Sequence, residues 1–188
     1  MKALSRLVKP PADGGDMVDW DAIYDRCGLC FPQDYRDFVS VYGGGTLDDY
    51  LGISIPPTGD SFYGDLLDDL EPSTGENSEH PYPYPPYPGP EKLIRWASDP
   101  DGDDAFWVLR SEDPDQWSVA VKNHQTRSWS SFDGGMAEFL LAVITGRHSS
   151  PFSAALPECL ALATVAARLA DFDGARAVLR ERVRFTQG

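Results

Sequence analysis

The stretch Phe31-Pro-Gln-Asp-Tyr-Arg-Asp-Phe-Val-Ser-Val-Tyr-Gly-Gly-Gly45 decides how the rest of the chain is read. Tyr35, Phe38, Val39 and Tyr42 recur at i, i+3, i+4 and i+7, the spacing that puts four apolar side chains on one helical face. Pro32 fits the first helical position, where a missing N–H costs nothing, and Gly43 to Gly45 end the helix sharply. Beyond the stop, Leu51 to Ile55 alternates as a strand until Pro56 and Pro57. Upstream, Asp16 to Cys27 reads as a short helix with Trp20, Ile23, Tyr24 and Cys27 on one face and Gly28 just past its end. Residues 1–15 read as a loose N-terminal tail.

Downstream, residues 58–90 form an acidic and Pro/Tyr-rich inserted loop with at most one short helix, around Gly64 to Leu70. Strands resume at Leu93 to Trp96 and Ala105 to Leu109, joined by the Asp99 to Asp104 turn. Two more, Trp117 to Lys122 and Arg127 to Phe132, flank a connection at Asn123 to Thr126. Met136 to Thr145 returns to helical spacing and stops at Gly146. In residues 151–188, the part from Leu156 to Phe185 reads as two helical segments around Asp171 to Gly174, a C-terminal helical hairpin appended to the main unit. The order predicts one α+β domain over residues 16–150, a mainly antiparallel sheet flanked by helices.

Composition supports a folded chain: 41% of the 188 residues are hydrophobic and 24% charged. The formal net charge of -14 disfavours nucleic acid and anionic membranes, whose attraction needs clustered Lys and Arg. Three cysteines, Cys27, Cys30 and Cys159, are too few for a secreted disulfide framework. The first residues lack the apolar core of a signal peptide, because Lys2, Arg6, Lys9 and two prolines interrupt them. Together these point to a cytoplasmic protein. The charge is also concentrated: Asp48 to Asp115 holds 17 acids against Lys92, Arg95 and Arg110, which is the whole excess. Such a surface would steer a basic partner, or would simply keep the protein soluble. Tyr82, Tyr84 and Tyr87 in the tract from Pro81 to Pro90 suit recognition on a polyproline path, or packing over the sheet.

No catalytic constellation emerges, and neither a cofactor nor a metal is expected. Cys27-Gly-Leu-Cys30 has C-x-x-C spacing but lies at a helix end rather than at the helix N-terminus that thiolate chemistry uses. Cys159, His80, His124 and His148 lack ligand spacing. Gly43 to Gly45 is not followed by a Gly-Lys-Ser/Thr continuation. Asp99-Pro-Asp-Gly-Asp-Asp104 lacks the alternation and closing Glu of a calcium loop, and reads as a turn.

Phe31-Pro-Gln-Asp-Tyr-Arg-Asp-Phe38, Val41-Tyr-Gly-Gly-Gly45 and the strand after them resemble the opening of the SUKH superfamily (Smi/Knr type). Leu93-Ile-Arg-Trp96, Asp101-Gly-Asp103 with Phe106-Trp107, Trp117 to Lys122, and Ser131-Phe132 leading into Glu138 to Leu141 follow the order of its actinobacterial members. The resemblance covers roughly Trp20 to Arg147. It implies a non-catalytic immunity protein that binds and neutralises a cognate toxin, frequently a nuclease with a basic cleft. On that view Pro32, Tyr35, Phe38, Tyr42, Gly43, Gly44, Trp96 and Trp107 are architectural. Asp60, Asp65, Asp68, Asp69 and Glu71 would pair with toxin Lys or Arg, and Tyr82, Tyr84 and Tyr87 would form the desolvated centre. The alternative is an intracellular adaptor whose basic C-terminal hairpin docks a host protein or mediates homo-oligomer formation.

Overall fold

A computed structural model describes residues 1–58, 63–70, 92–154 and 185–187 of the chain. Within them lie three α-helices, α1 (Trp20–Cys27), α2 (Gln33–Tyr42) and α3 (Met136–Ile144), and seven strands. The strands are β1 (Gly45–Leu47), β2 (Leu51–Ile53), β3 (Lys92–Ser98), β4 (Asp104–Leu109), β5 (Ser118–Lys122), β6 (Trp129–Phe132) and β7 (Phe185–Gln187). They form one sheet in the order β6-β5-β4-β3-β2-β1-β7, antiparallel at every pairing. The α+β class with a mainly antiparallel sheet is therefore as the sequence predicts. The expected hairpin and the Pro/Tyr tract lie outside the described residues.

Helix boundaries follow local chemistry. Asp19 caps α1 by accepting from the Ala22 N–H at 3.0 Å, and Gly28 ends it in a left-handed conformation. In α2, Pro32 occupies the N-cap rather than the first turn, a one-residue shift from the sequence reading. The capping bond comes from elsewhere, since the Gln33 N–H donates to Asp115 Oδ1 at 2.6 Å. Gly43, at φ 75°, supplies the conformation that lets the chain leave α2, and its N–H closes on the Val39 carbonyl.

Gly45 does more than terminate a helix. It opens β1, and a Cβ there would sit 2.0 Å from the Thr186 carbonyl oxygen of β7. Neither β1 nor β7 is visible to hydrophobic periodicity. Phe185, read as the end of a helical segment, is in fact a strand residue paired with Leu47, its ring 5.5 Å from Phe38 and 5.3 Å from Tyr42. The outer edge of β1 needs backbone partners, and that non-local demand overrides a local helical pattern.

Tyr35, Phe38, Val39 and Tyr42 of α2 and Met136, Phe139, Leu140 and Val143 of α3 bury against Ile94, Trp96, Trp107 and Val119 of the sheet. Tyr35 meets Trp107 edge-on at 4.7 Å, while Trp96 lies 6.0 Å from Trp107 and 6.1 Å from Phe139. An irregularity in register between Arg95 and Ala97 lets both Trp96 and Ala97 join this core. A second apolar cluster of Leu93, Phe106, Val108 and Ala120 uses the alternate positions, so β3 to β5 are buried on both faces.

The N-terminal segment corrects the expectation of a loose tail. Leu4–Arg6 form a 3-10 turn, and Leu4, Leu7 and Val8 are buried in the main core. The Tyr42 hydroxyl donates to the Val8 carbonyl at 2.8 Å, and Asp16 ties to Gly44 N–H at 2.8 Å and through its own N–H to Val39. Three apolar residues at i, i+3 and i+4 suffice to anchor a segment too short, between its flanking lysines and prolines, to read as an element.

Candidate binding surfaces

A meander places alternate connections at opposite ends of the sheet, and this partitions the acids. The β1–β2, β3–β4 and β5–β6 turns share one end. There the Tyr50 hydroxyl donates to Asp101 Oδ2 at 2.5 Å, and the His124 N–H donates to Asp103 Oδ1 at 2.6 Å. Asp99 is the hub of that end. Only 8% exposed, it accepts the Asp101 and Asp103 N–H groups on Oδ1 at 3.0 and 2.9 Å. Burial pushes the Asp99 carboxyl above its ordinary range despite these bonds. Burial, then the bond to Asp101, also pushes the Tyr50 phenol well above its usual value. The acidic motif is thus a self-bonded turn that also clamps the β5–β6 connection. Among the described residues no group of acids, histidines or cysteines has the arrangement of a metal site.

The connections after β2 and after β4 leave from the opposite end. Of the sequence-predicted partner residues, Asp65 and Asp68 lie there, both exposed. They are held rigidly: Leu66, Leu67 and Leu70 are buried, the Leu66 N–H bonds the Ile55 carbonyl at 3.1 Å, and Asp68–Leu70 is a 3-10 turn that includes Asp69 in its backbone. Asp60, Glu71, Tyr82, Tyr84 and Tyr87 fall outside the described residues. Glu112, Asp113 and Asp115 of the β4–β5 connection are also exposed. So among the described residues the acids between 48 and 115 do not form one surface but divide between the two ends of the sheet.

Some acids at the helix-bearing face are spent on architecture. Asp34 accepts from the Ala137 N–H at 2.9 Å, capping α3 from α2, while Asp115 caps α2 from the β4–β5 connection. Burial raises the Asp34 pKa from the usual carboxylate range. These two and Glu138 wall a cavity of about 310 Å³ with Pro32, Pro114 and Trp117. Helix capping accounts for two of its three carboxylates, a role that spacing along the chain does not reveal because the partners are 103 and 82 residues apart.

The residues expected to be architectural lie in the core and at the ends of α2. Tyr35, Phe38, Tyr42, Trp96 and Trp107 are buried in one cluster, and Pro32, Gly43 and Gly44 shape the two ends of α2. The Tyr35 hydroxyl donates to the Ser54 carbonyl at 2.7 Å, and burial holds its pKa far above the usual phenol value. Cys27 and Cys30 are free thiols, with Cys27 Sγ donating to the Ile23 carbonyl at 3.2 Å at the C-terminal end of α1. Among the described residues, no helix is long and apolar enough to cross a membrane. Comparison with known proteins adds no neighbour: no family model matches the chain, and no curated protein or solved structure is similar to it.

Proposed function

We propose that the chain is a non-catalytic, cytoplasmic immunity-type protein that binds a basic toxin, of the nuclease type, and neutralises it by occlusion. The observation that carries the reading is the state of Asp65 and Asp68. Both are exposed, neither has a side-chain hydrogen bond or ion pair within the described residues, and both sit on a turn fixed by three buried leucines. Uncompensated charge on a rigid support favours fast, salt-sensitive encounter with a cationic surface at little ordering cost. The ordered SUKH-like motifs and the free thiols at Cys27 and Cys30 support the same reading.

The test is co-expression with basic toxin domains encoded beside the gene, followed by association kinetics on any pair that co-purifies. An Asp65→Lys/Asp68→Lys variant should remain folded and associate about tenfold more slowly at low salt, with a shallower salt dependence. Unchanged association would remove this surface from the interface. Survival without a complex would remove occlusion as the mechanism.

A further inference from the structure

A second surface, unconnected with the acidic excess, lies where α1 meets the loop leading into α2. A cavity of about 190 Å³ opens there between Trp20, Tyr24, Leu29, Phe31 and Arg36, with Asp21 also on its wall. Three independent observations converge on it. First, Tyr24 on the cavity wall stays 51% exposed, one of two large hydrophobic residues exposed among the described residues; the other, Met17, precedes α1 and lies outside the lining. Apolar surface left in water beside a concave site is characteristic of an interface. Second, the walls are Trp, Tyr and Arg, the residue types that dominate binding energy when buried by a partner. Third, the Arg36 guanidinium lies 5.2 Å above the Trp20 ring, and its Nε is shielded from solvent without an acceptor. Among the described residues this arginine makes no ion pair, not even with Asp21 on the same wall. A guanidinium stacked on an indole keeps its in-plane donors oriented for a carboxylate, and an unsatisfied buried donor calls for one.

We propose that this cavity docks an acidic, apolar segment of a protein partner: one aliphatic or aromatic side chain enters between Tyr24 and Phe31 while a neighbouring carboxylate bonds Arg36. The unsatisfied Arg36 donor selects that occupant: the one carboxylate on the wall, Asp21, does not pair with it, and aromatic and aliphatic side chains make up most of the remaining lining. The partner differs in sign from the one that Asp65 and Asp68 would attract, so the two surfaces can be occupied separately.

The probe is 3-phenylpropionate, with 3-phenylpropanamide as its uncharged isostere, titrated at millimolar concentration into the full-length ¹⁵N-labelled chain. The expected result is saturable shifts of the Trp20 indole and Arg36 side-chain N–H signals, about tenfold tighter for the carboxylate than for the amide. Arg36→Gln should erase that discrimination, and Tyr24→Ser should weaken both probes while the amide signals of β3 to β5 stay in place. Equal affinity for the two probes, absence of saturable shifts, or discrimination that survives Arg36→Gln would each overturn the proposal. So would a dimer, seen by sedimentation, that Tyr24→Ser dissociates, since the occupant would then be a second copy.

Discussion

Replacing Asp99 separates two roles that the wild-type carboxylate combines. Its Oδ1 organises the β3–β4 turn through two backbone N–H groups, and its charge sits in a site only 8% exposed. Asp99→Asn keeps the acceptor and removes the charge; Asp99→Ala removes both. Two bonds of this kind are worth about 1 kcal/mol each net, and leaving the buried Asp103 N–H unpaired adds roughly another 1 kcal/mol, so Asp99→Ala should cost about 2–3 kcal/mol near pH 7. The charge works in the other direction. Burial raises the folded-state pKa above the unfolded value of 3.8, so the stability associated with this group is fully present below pH 3.8 and is lost as pH rises through the folded pKa. Asp99→Asn lacks that limb. Its stability relative to wild type should therefore rise from acid towards neutral pH, because carboxylates not coupled to Asp99 cancel between the two proteins and removal of the Asp99 charge also relieves its repulsion with Asp103. Urea denaturation of the pair across pH 3.5 to about 7 measures the difference. A relative stability that falls over the same range would mean that the ionised carboxylate is a net asset, and the account of a self-bonded turn would be wrong.

The Tyr42 hydroxyl holds the N-terminal segment, so Tyr42→Phe should lose about 1 kcal/mol and raise amide exchange at Leu7 and Val8 ahead of the sheet, as hydrogen exchange would show. Burial lifts Tyr42 to about 12 from its unfolded value of 10, so its contribution is complete below pH 10 and disappears as pH climbs through about 12. The difference in absorbance titration between wild type and Tyr42→Phe should then show this tyrosinate forming together with loss of ellipticity rather than before it. Gly45→Ala would push a Cβ into the β7 backbone, and should cost at least about 2 kcal/mol and release residues 185–187, detectable by carboxypeptidase digestion; unaltered stability would refute the β1–β7 pairing. Replacing Cys27 and Cys30 together by Ser should leave folding and association through Asp65 and Asp68 unchanged, as denaturation and association kinetics would show, since Cys27 Sγ makes one weak bond within α1 and Cys30 is exposed on the wall of the other cavity.

The elements legible in the sequence were those with a strong local period. α2 and α3 show apolar residues at helical spacing, and β3 to β6 are short runs between turns rich in Asp, Gly and Asn, so their order and the α+β class follow from the sequence. What stayed hidden depended on distant partners. β1 is three residues long and follows a glycine run that reads as a stop; β7 exists because β1 has an open edge. The N-terminal anchor uses Leu4, Leu7 and Val8 in a segment broken by Lys and Pro. Asp34 and Asp115 look like ordinary solvated acids until the fold brings each to the open end of a helix.

The same reasoning changes what the charge count means. Seventeen acids in one stretch of sequence suggest one electrostatic face, but an antiparallel meander reverses direction at each turn and sends successive acid clusters to opposite ends of the sheet. At the three-turn end, Asp99, Asp101 and Asp103 are committed to turn and hydroxyl hydrogen bonds. At the other, Asp115 caps a helix, whereas Asp65 and Asp68 have no internal employment. Among the described residues, a partner attracted by the net charge would therefore meet two unequal targets, and of these the second offers carboxylates that can leave water for a partner without first breaking a bond inside this protein. Among the described residues, that places the electrostatic contribution of Asp65 and Asp68 above what their share of the total charge implies.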